Sequence, residues 1–287
     1  MNSRRNKLKR LLRLFPAKYL KEKFNVDGNL NDMAEAISGM VDFNLNIFLM
    51  ESHFLTKQHI YIYDFITGDY DPVSYRHFPL EIFHRDVIED THFIWCLPTT
   101  VVRTYLSDPP EKVDVEFYQP VLIRIKDDKM VISYTKLEPD IRSYFPANKE
   151  ARRVIDFLTE SETLLQIIHF FAQSEQLLVF TDLNPGIKRL WDDNVLDCHR
   201  LLFLDTFSVA TQTMNEEHTF KEMYPERYAQ VVKNPIGKSI WKYLLDDNLF
   251  CKKFTAEPNF GRINITSYPD DANQVDYVIG QILQNNQ

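Results

Sequence analysis

Glycine is scarce in this chain of 287 residues and is never clustered. There are seven glycines, and the two closest lie eleven residues apart. Phosphate-binding loops need glycine for tight turns and close backbone approach, so this distribution excludes a dinucleotide fingerprint and a kinase phosphate loop. The segment Gly237-Lys238-Ser239 ends like a P-loop, but Val232 stands where that motif requires its first glycine. We therefore interpret Asn234-Pro235-Ile236 as a helix start and not as a nucleotide site.

Positive charge is concentrated at the N-terminus. The first 23 residues carry nine basic side chains and one acid, Glu22, whereas the whole chain has a net charge of −8. A basic arm on an acidic body indicates a polyanionic partner for the arm, either nucleic acid or anionic lipid. The candidate nucleic-acid-binding residues are Arg4, Arg5, Lys7, Lys9, Arg10, Arg13, Lys18, Lys21 and Lys23.

Apolar residues within this arm recur at helical spacing, which predicts an amphipathic first helix. They are Leu8, Leu11, Leu12 and Phe15. Pro16 separates this helix from a second one that runs from Ala17 to Phe24, and Asn31 or Asp32 can cap a third. Residues 1–39 are therefore predicted to form a small basic helical module.

The segment LKEKFNVDG at residues 20–28, followed by Met33 and Ile37, resembles the helix, extended turn and helix of SAP and related HeH nucleic-acid-binding modules. The resemblance covers residues 10–39. Those modules usually place a lysine shortly after the glycine and an arginine in the last helix, where this chain has Leu30 and Ala36. The resemblance implies phosphate contacts through Lys18, Lys21, Lys23, Arg10 and Arg13.

Three uses of the arm remain open. Phosphate neutralisation would give affinity that depends strongly on salt and little on sequence. Alternatively, the leucines and Phe15 enter a membrane surface while the basic residues meet anionic headgroups. In a third interpretation the arm docks on the protein's own acidic body or on a partner subunit.

The middle of the chain has the composition and alternation of strands. Residues 59–65 and 92–97 are predicted strands, and residues 121–125 and 130–134 form a predicted hairpin around a turn at 126–129. Residues 40–56 fit a strand and a helix equally well. We predict an α+β protein in which residues 40–146 form a β-rich domain, as an antiparallel sheet or a small barrel.

Residues 147–287 are predicted to form a mixed α/β domain, with the boundary between Glu138 and Pro146. A long helix from Asn148 has Leu165 in its apolar stripe, and a strand, helix and strand follow, compatible with a parallel pair. The remaining predicted elements are helices at 215–232 and 236–247, a strand at 262–266 and a last helix from Val275.

No catalytic signature stands out, and the sequence predicts no cofactor and no metal ligand. Asp64, Asp114 and Glu116 could hold magnesium for a nuclease, but Phe117 and Tyr118 follow Glu116 where nucleases usually carry a lysine. No two histidines have the i, i+4 spacing of a helical metal site. The sequence favours a protein that is not an enzyme.

The three cysteines form no CxxC pair and are predicted to be reduced and buried. No apolar run approaches the length of a membrane span, so we expect a cytoplasmic protein. The leading hypothesis is a nucleic-acid-associated accessory or interaction protein, with a protein partner or a homo-oligomer as further associations. The alternatives are a metal-dependent nuclease and a scaffold or assembly subunit of a larger complex.

Overall fold

A computed structural model describes residues 3–107, 110–137, 151–153, 158–205, 208–213, 218–245 and 247–286. Helices come first, a sheet-rich part follows, and the C-terminal part contains both. The predicted α+β class is confirmed.

Four short helices form the N-terminal module. They are α1 (Arg4–Leu12), α2 (Ala17–Phe24), α3 (Leu30–Ser38) and α4 (Leu45–Ser52). The first three confirm the helices predicted from periodicity, and α4 resolves the ambiguous segment 40–56 as helical. The N-cap of α3 is Asn29, two or three residues earlier than predicted, and Asp32 completes its capping box.

The module has its own apolar core, formed by residues that recur on the inner faces of its helices. Leu11, Phe15, Leu20, Ile37 and Phe48 are buried there. The same cluster extends to partly buried side chains of the β-rich part, including Phe83, Leu97 and Tyr118. Apolar packing therefore joins the basic module to the rest of the protein.

Strands make up most of the remaining structure. Their bounds are β1 (Gln58–Phe65), β2 (Ile82–Ile88), β3 (Thr91–Cys96), β4 (Thr99–Ser107), β5 (Pro110–Tyr118), β6 (Val121–Lys126), β7 (Lys129–Thr135), β8 (Ala151–Arg153), β9 (Leu178–Phe180), β10 (Leu196–Asp205), β11 (Ser208–Thr213), β12 (Ile236–Tyr243), β13 (Lys253–Glu257) and β14 (Arg262–Ile265). The later helices are α5 (Leu158–Gln173), α6 (Asn184–Asp192), α7 (Phe220–Met223), α8 (Pro225–Val231) and α9 (Asn273–Gln284).

Eleven strands form one sheet in the order β11-β10-β12-β13-β14-β1-β7-β6-β3-β2, with β9 also paired to β1. A second sheet has the order β5-β4-β8. The predicted hairpin is confirmed as β6 and β7, which pair in antiparallel register. Strand β1 joins β7 on one side to β14 on the other, so one sheet contains strands from both predicted domains. The boundary at 138–146 lies outside the described residues, and the domain division stays a prediction.

The two faces of β1 enter different cores because successive side chains of a strand point to opposite sides. Ile60 and Ile62 pack in a cluster with residues of α6 and α9. Tyr63 and Phe65 pack in another cluster with Phe171 and its neighbours on α5. The central strand is therefore covered by helices on both sides.

Two predictions for the C-terminal part are wrong. Residues 236–243 form strand β12 and not a helix, since Trp241 and Tyr243 are buried in alternation and β12 pairs with both β10 and β13. The strand, helix and strand unit β9-α6-β10 contains no parallel pair, because β9 pairs antiparallel with β1 and β10 pairs antiparallel with β11 and β12.

The long helix predicted from Asn148 begins at Leu158, after the short strand β8. Leu165 is 65% exposed, so it does not belong to the buried stripe. That stripe consists of Leu164, Ile167, Phe170 and Phe171. Cys96, Cys198 and Cys251 are free and buried, as predicted.

Candidate nucleic-acid interface

Two basic residues of α1, Lys7 and Arg10, contact strand β5. Arg10 is only 5% exposed, and its Nη1 donates a hydrogen bond of 2.7 Å to the backbone oxygen of Glu116 on β5. Its guanidinium also lies 5.6 Å from the centroid of the Phe117 ring. The Lys7 ammonium is 3.4 Å from the Glu116 carboxylate. Arg10 and Lys7 therefore help to hold α1 on β5, and Arg13 is half-buried.

Other cations of α1 meet an acid of the same module. Arg5 Nη2 is 2.8 Å and Lys9 Nζ is 2.6 Å from the two carboxylate oxygens of Glu35 on α3. The hydrogen bond from Lys9 is the main cause that holds the pKa of Glu35 below its ordinary value, and the charges of Lys9 and Arg5 add to it. These pairs fasten α1 to α3 at the surface.

Helix α2 carries its three lysines on the outside. Lys18 is 86% exposed and lies 4.0 Å from Glu22 one helical turn away. Lys21 is 2.6 Å from Asp27, and Lys23 pairs with Glu51 of α4. Exposed ion pairs of this kind contribute little to stability, so a phosphate can replace the internal acid at small cost.

A cleft of about 680 Å³ opens beside the exposed end of α1. It lies between the first turn of α1, the connection from α3 to α4, and Tyr118 at the end of β5. Its lining residues are Arg4, Arg5, Leu8, Ser38, Met40, Val41, Asp42, Phe43, Asn44, Leu45, Asn46 and Tyr118. We call it the arginine cleft.

The arginine cleft combines two cations with apolar and aromatic surface. Arg4 and Arg5 are exposed at its rim, and Asp42 is the acid among the described residues that line it. Tyr118 and Phe43 are half-buried, and the Lys7 ammonium lies 4.7 Å from the centroid of the Tyr118 ring. Binding pockets for small molecules usually have volumes of about 300–1,000 Å³, and the cleft lies within that range. Arginine can pair with a phosphate, and an aromatic ring can stack on a nucleotide base.

Sequence reasoning identified Arg4 and Arg5 but missed the cleft. Residues 39–44 connect two helices, and the sequence pattern from residue 40 onward fitted a strand and a helix equally well. Tyr118 reaches the cleft only because α1 packs on β5, a contact between residues about a hundred positions apart. Of the neighbouring residues Phe117 and Tyr118, Tyr118 lines the cleft and Phe117 is buried.

The carboxylates considered for a nuclease lie in different sheets. Asp64 is on β1, where Lys129 Nζ is 2.9 Å away and the Thr181 hydroxyl donates a hydrogen bond of 2.6 Å. Asp114 and Glu116 are on β5 in the three-stranded sheet. Within the described ranges, no group of three or more His, Cys, Asp or Glu side chains is arranged to hold a metal ion. The nuclease alternative stays a prediction.

A second polar cluster surrounds Glu160, at the first turn of α5, and no sequence pattern indicated it. The Glu160 carboxylate lies 3.0 Å from His59 Nδ1 and accepts hydrogen bonds from the Tyr61 hydroxyl at 2.8 Å and from Gln119 Nε2 at 3.3 Å. Burial raises the pKa of Glu160. The hydrogen bond with His59 and its charge, with smaller effects from Tyr61 and Arg262, lower this pKa by more than burial raises it. The net pKa is below the ordinary value. Glu160 therefore holds α5 to β1 as a charged group.

Comparison of the chain with protein-family models, with curated proteins and with solved structures gave no match. The resemblance of residues 10–39 to SAP and HeH modules therefore stays a prediction, although the helix, turn and helix on which it rests are present as α2 and α3. Among the described helices, none has both the length and the apolar character needed to cross a bilayer.

Proposed function

We propose that the protein binds single-stranded nucleic acid through the exposed cations of its helical module, with one nucleotide seated in the arginine cleft. The observation that carries this proposal is the cleft itself, which Arg4 and Arg5 line together with Tyr118 and Phe43. The role is that of an accessory or interaction protein. A cytoplasmic location is part of the proposal.

Two parts of the module contribute differently. The arginine cleft receives a base against an aromatic ring and its phosphate against the arginines. The lysines of α2 neutralise further phosphates of the nucleic-acid strand, and these phosphates replace the carboxylates in the lysines' surface ion pairs. We leave Arg10 out of the interface because it is buried against β5. A duplex keeps its bases stacked inside, so it can use the lysines but cannot fill the cleft.

Fluorescence anisotropy with a labelled oligothymidylate tests the proposal. The variant Arg4→Gln/Arg5→Gln should bind at least tenfold more weakly at low salt. Its slope of log affinity against log salt should become shallower by about 1, since each phosphate neutralised on a single strand contributes about −0.7. An abasic strand of equal charge should bind the wild type more weakly than oligothymidylate, because it offers no base to stack.

The matched control is Lys252→Gln/Lys253→Gln, which removes the same charge from exposed lysines near β13. It should leave the affinity within about twofold of wild type. If the two double variants lose affinity equally, only the net charge matters and the cleft has no role. Binding to phosphatidylserine vesicles without binding to any oligonucleotide would replace this function with the membrane-surface alternative.

A further inference from the structure

Five large apolar side chains are exposed together around strand β9, and we call them the β9 patch. They are Ile66, Leu177, Val179, Phe180 and Phe260, with exposures of 44–60%. The rings of Phe180 and Phe260 are 6.1 Å apart, and the Ile66 backbone N–H donates to the Leu177 oxygen at 2.9 Å. The register with β1 places Phe180 on the face of Tyr63 and Val179 on the opposite face with Asp64, so these residues expose apolar surface on both faces of β9. Single exposed apolar residues are common on protein surfaces, but a group of them around one strand usually marks an interaction site.

Strand β9 also has an open edge. Two backbone hydrogen bonds on either side of β9 point towards the β1 side. The Ile66 N–H donates to the Leu177 oxygen, and the Thr181 N–H donates to the Ile62 oxygen. Backbone groups alternate in direction along an antiparallel strand, so those of Leu178 and Phe180 point away from β1. Within the part of the chain that the structure describes, β9 pairs only with β1. Its outward N–H and C=O groups can therefore receive another strand.

Acidic residues flank both ends of this edge. Glu175 is exposed two residues before Leu177, and Asp71 is held beside it because its backbone N–H donates to Gln176 Oε1 at 3.1 Å. Asp69 is exposed in the turn after Ile66, and Asp182 is exposed after Thr181. Among the described residues, two cations lie near this edge: the partly exposed Lys188, on whose pKa Asp182 acts, and Lys129, which pairs with Asp64 opposite Val179.

We propose that β9 binds an extended segment of a partner protein in which apolar residues alternate with lysine or arginine. The segment adds to β9 as a strand and forms backbone hydrogen bonds with Leu178 and Phe180. Because its side chains alternate, its apolar residues cover the part of the β9 patch on one face, Leu177 and Val179, while its basic residues lie on the other face. Its basic side chains meet Glu175, Asp71 and Asp182 at the ends of the edge, which gives complementary charge.

A second copy of this chain is a poorer occupant of the same edge. Antiparallel pairing of two β9 strands brings Glu175 of one copy towards Asp182 of the other at both ends. Like charges placed opposite each other across paired strands are destabilising. The charge pattern therefore favours a basic partner segment over self-association.

The test uses the full-length protein and a labelled, end-capped peptide of alternating valine and lysine, about six residues long. The peptide should bind, and Val179→Lys should weaken its binding at least tenfold. The matched control is Val87→Lys on β2, a strand at one end of the same sheet, where Val87 is 57% exposed. The two variants change the net charge equally and differ only in the position of the new lysine. Only Val179→Lys should weaken the binding of the peptide. Circular dichroism melts of both variants establish that they are folded.

Two further peptides separate strand addition from general attraction to an acidic protein. A version with every backbone nitrogen methylated keeps its charge but cannot donate hydrogen bonds, so it should bind the wild type at least tenfold more weakly. A valine and glutamate version should not bind. The proposal is overturned if the valine and lysine peptide does not bind, if methylation has no effect, or if both lysine variants weaken binding equally. A concentration-dependent dimer that Val179→Lys abolishes would assign the edge to a second copy instead.

Discussion

Arg10 Nη1 donates a hydrogen bond of 2.7 Å to the backbone oxygen of Glu116, from helix α1 to strand β5. This contact links the basic module to the three-stranded sheet across 106 residues of sequence. Since the guanidinium also lies against Phe117, it satisfies a backbone acceptor while covering an aromatic ring. Arg10, which was predicted from the sequence to bind nucleic acid, therefore orients the helical module on the sheet.

The first prediction concerns this contact. Arg10→Ala should lower the free energy of unfolding by about 2 kcal/mol, because hydrogen bonds to charged groups contribute about 1.5–3 kcal/mol. Urea unfolding monitored by circular dichroism measures the change. Lys18→Ala is the control, because Lys18 is exposed and its loss should change stability by no more than about 0.5 kcal/mol. Equal stability of Arg10→Ala and wild type would contradict the role of Arg10 in docking α1.

The second prediction concerns Glu160. Glu160→Gln should destabilise the protein by about 1–3 kcal/mol, since His59, Tyr61 and Gln119 would lose a charged acceptor. The folded pKa of Glu160 is lowered, so its ionisation stabilises the fold above the ordinary carboxylate pKa, and that contribution disappears as the pH falls through the lowered value. Glu162→Gln, on the same helix and exposed, should have little effect. Chemical unfolding at neutral and at acidic pH distinguishes the two variants.

Local patterns were sufficient to predict the helical module and the hairpin. The leucine spacing of α1, Pro16 before α2 and the turn between β6 and β7 act within a few residues, and each gave the observed element. The same reasoning failed at residues 236–243. Pro235 and the apolar residues after it favoured a helix, but pairing with β10 and β13 on both sides outweighs that local preference.

The Glu160 cluster and the candidate interface both depend on contacts between residues far apart in the sequence, which no local pattern predicts. Glu160 meets His59 and Gln119 only through the packing of α5 on the sheet. Charge counting treated all nine basic residues of the arm alike, whereas the fold places Arg10 inside and Lys18 outside. Sequence therefore predicted the charge of the candidate interface but not its shape.

The third prediction concerns His53, which is completely buried. Burial, with a smaller effect from the charge of Arg124, lowers the pKa of His53 to about 3 from an ordinary value of 6.5. Between these values the unfolded chain binds a proton that the folded protein does not. Stability should therefore fall as the pH is lowered below about 6.5, by about 1.4 kcal/mol per pH unit.

His53→Asn isolates this effect because asparagine does not titrate. The variant should be less stable at neutral pH but should show a flatter dependence of stability on pH between about 6.5 and 4.5. His77→Asn is the control, because His77 is exposed and its removal should leave the slope unchanged. Urea unfolding at several pH values provides the slopes. A wild-type slope retained in His53→Asn would assign the pH dependence to other groups.

The fourth prediction compares one substitution at two helical glycines. A Cβ atom added at Gly186 in α6 would lie 2.1 Å from the backbone oxygen of Ile282 in α9, whereas one added at Gly280 in α9 would have no atom within 4 Å. Gly186 allows α6 and α9 to approach closely over the core that contains Ile187 and Ile282. Gly280 has no such role and only weakens its helix.

Gly186→Ala should therefore destabilise the protein by about 1–3 kcal/mol, because the backbone of α9 must move away from α6. Gly280→Ala should stabilise it by about 0.5–1 kcal/mol, since alanine favours the helix over glycine. Thermal or urea unfolding of the two single variants gives the signs directly. The opposite signs are the decisive feature, because both variants add one methyl group and change no charge. If Gly186→Ala were as stable as Gly280→Ala, the close packing of α6 against α9 would be wrong.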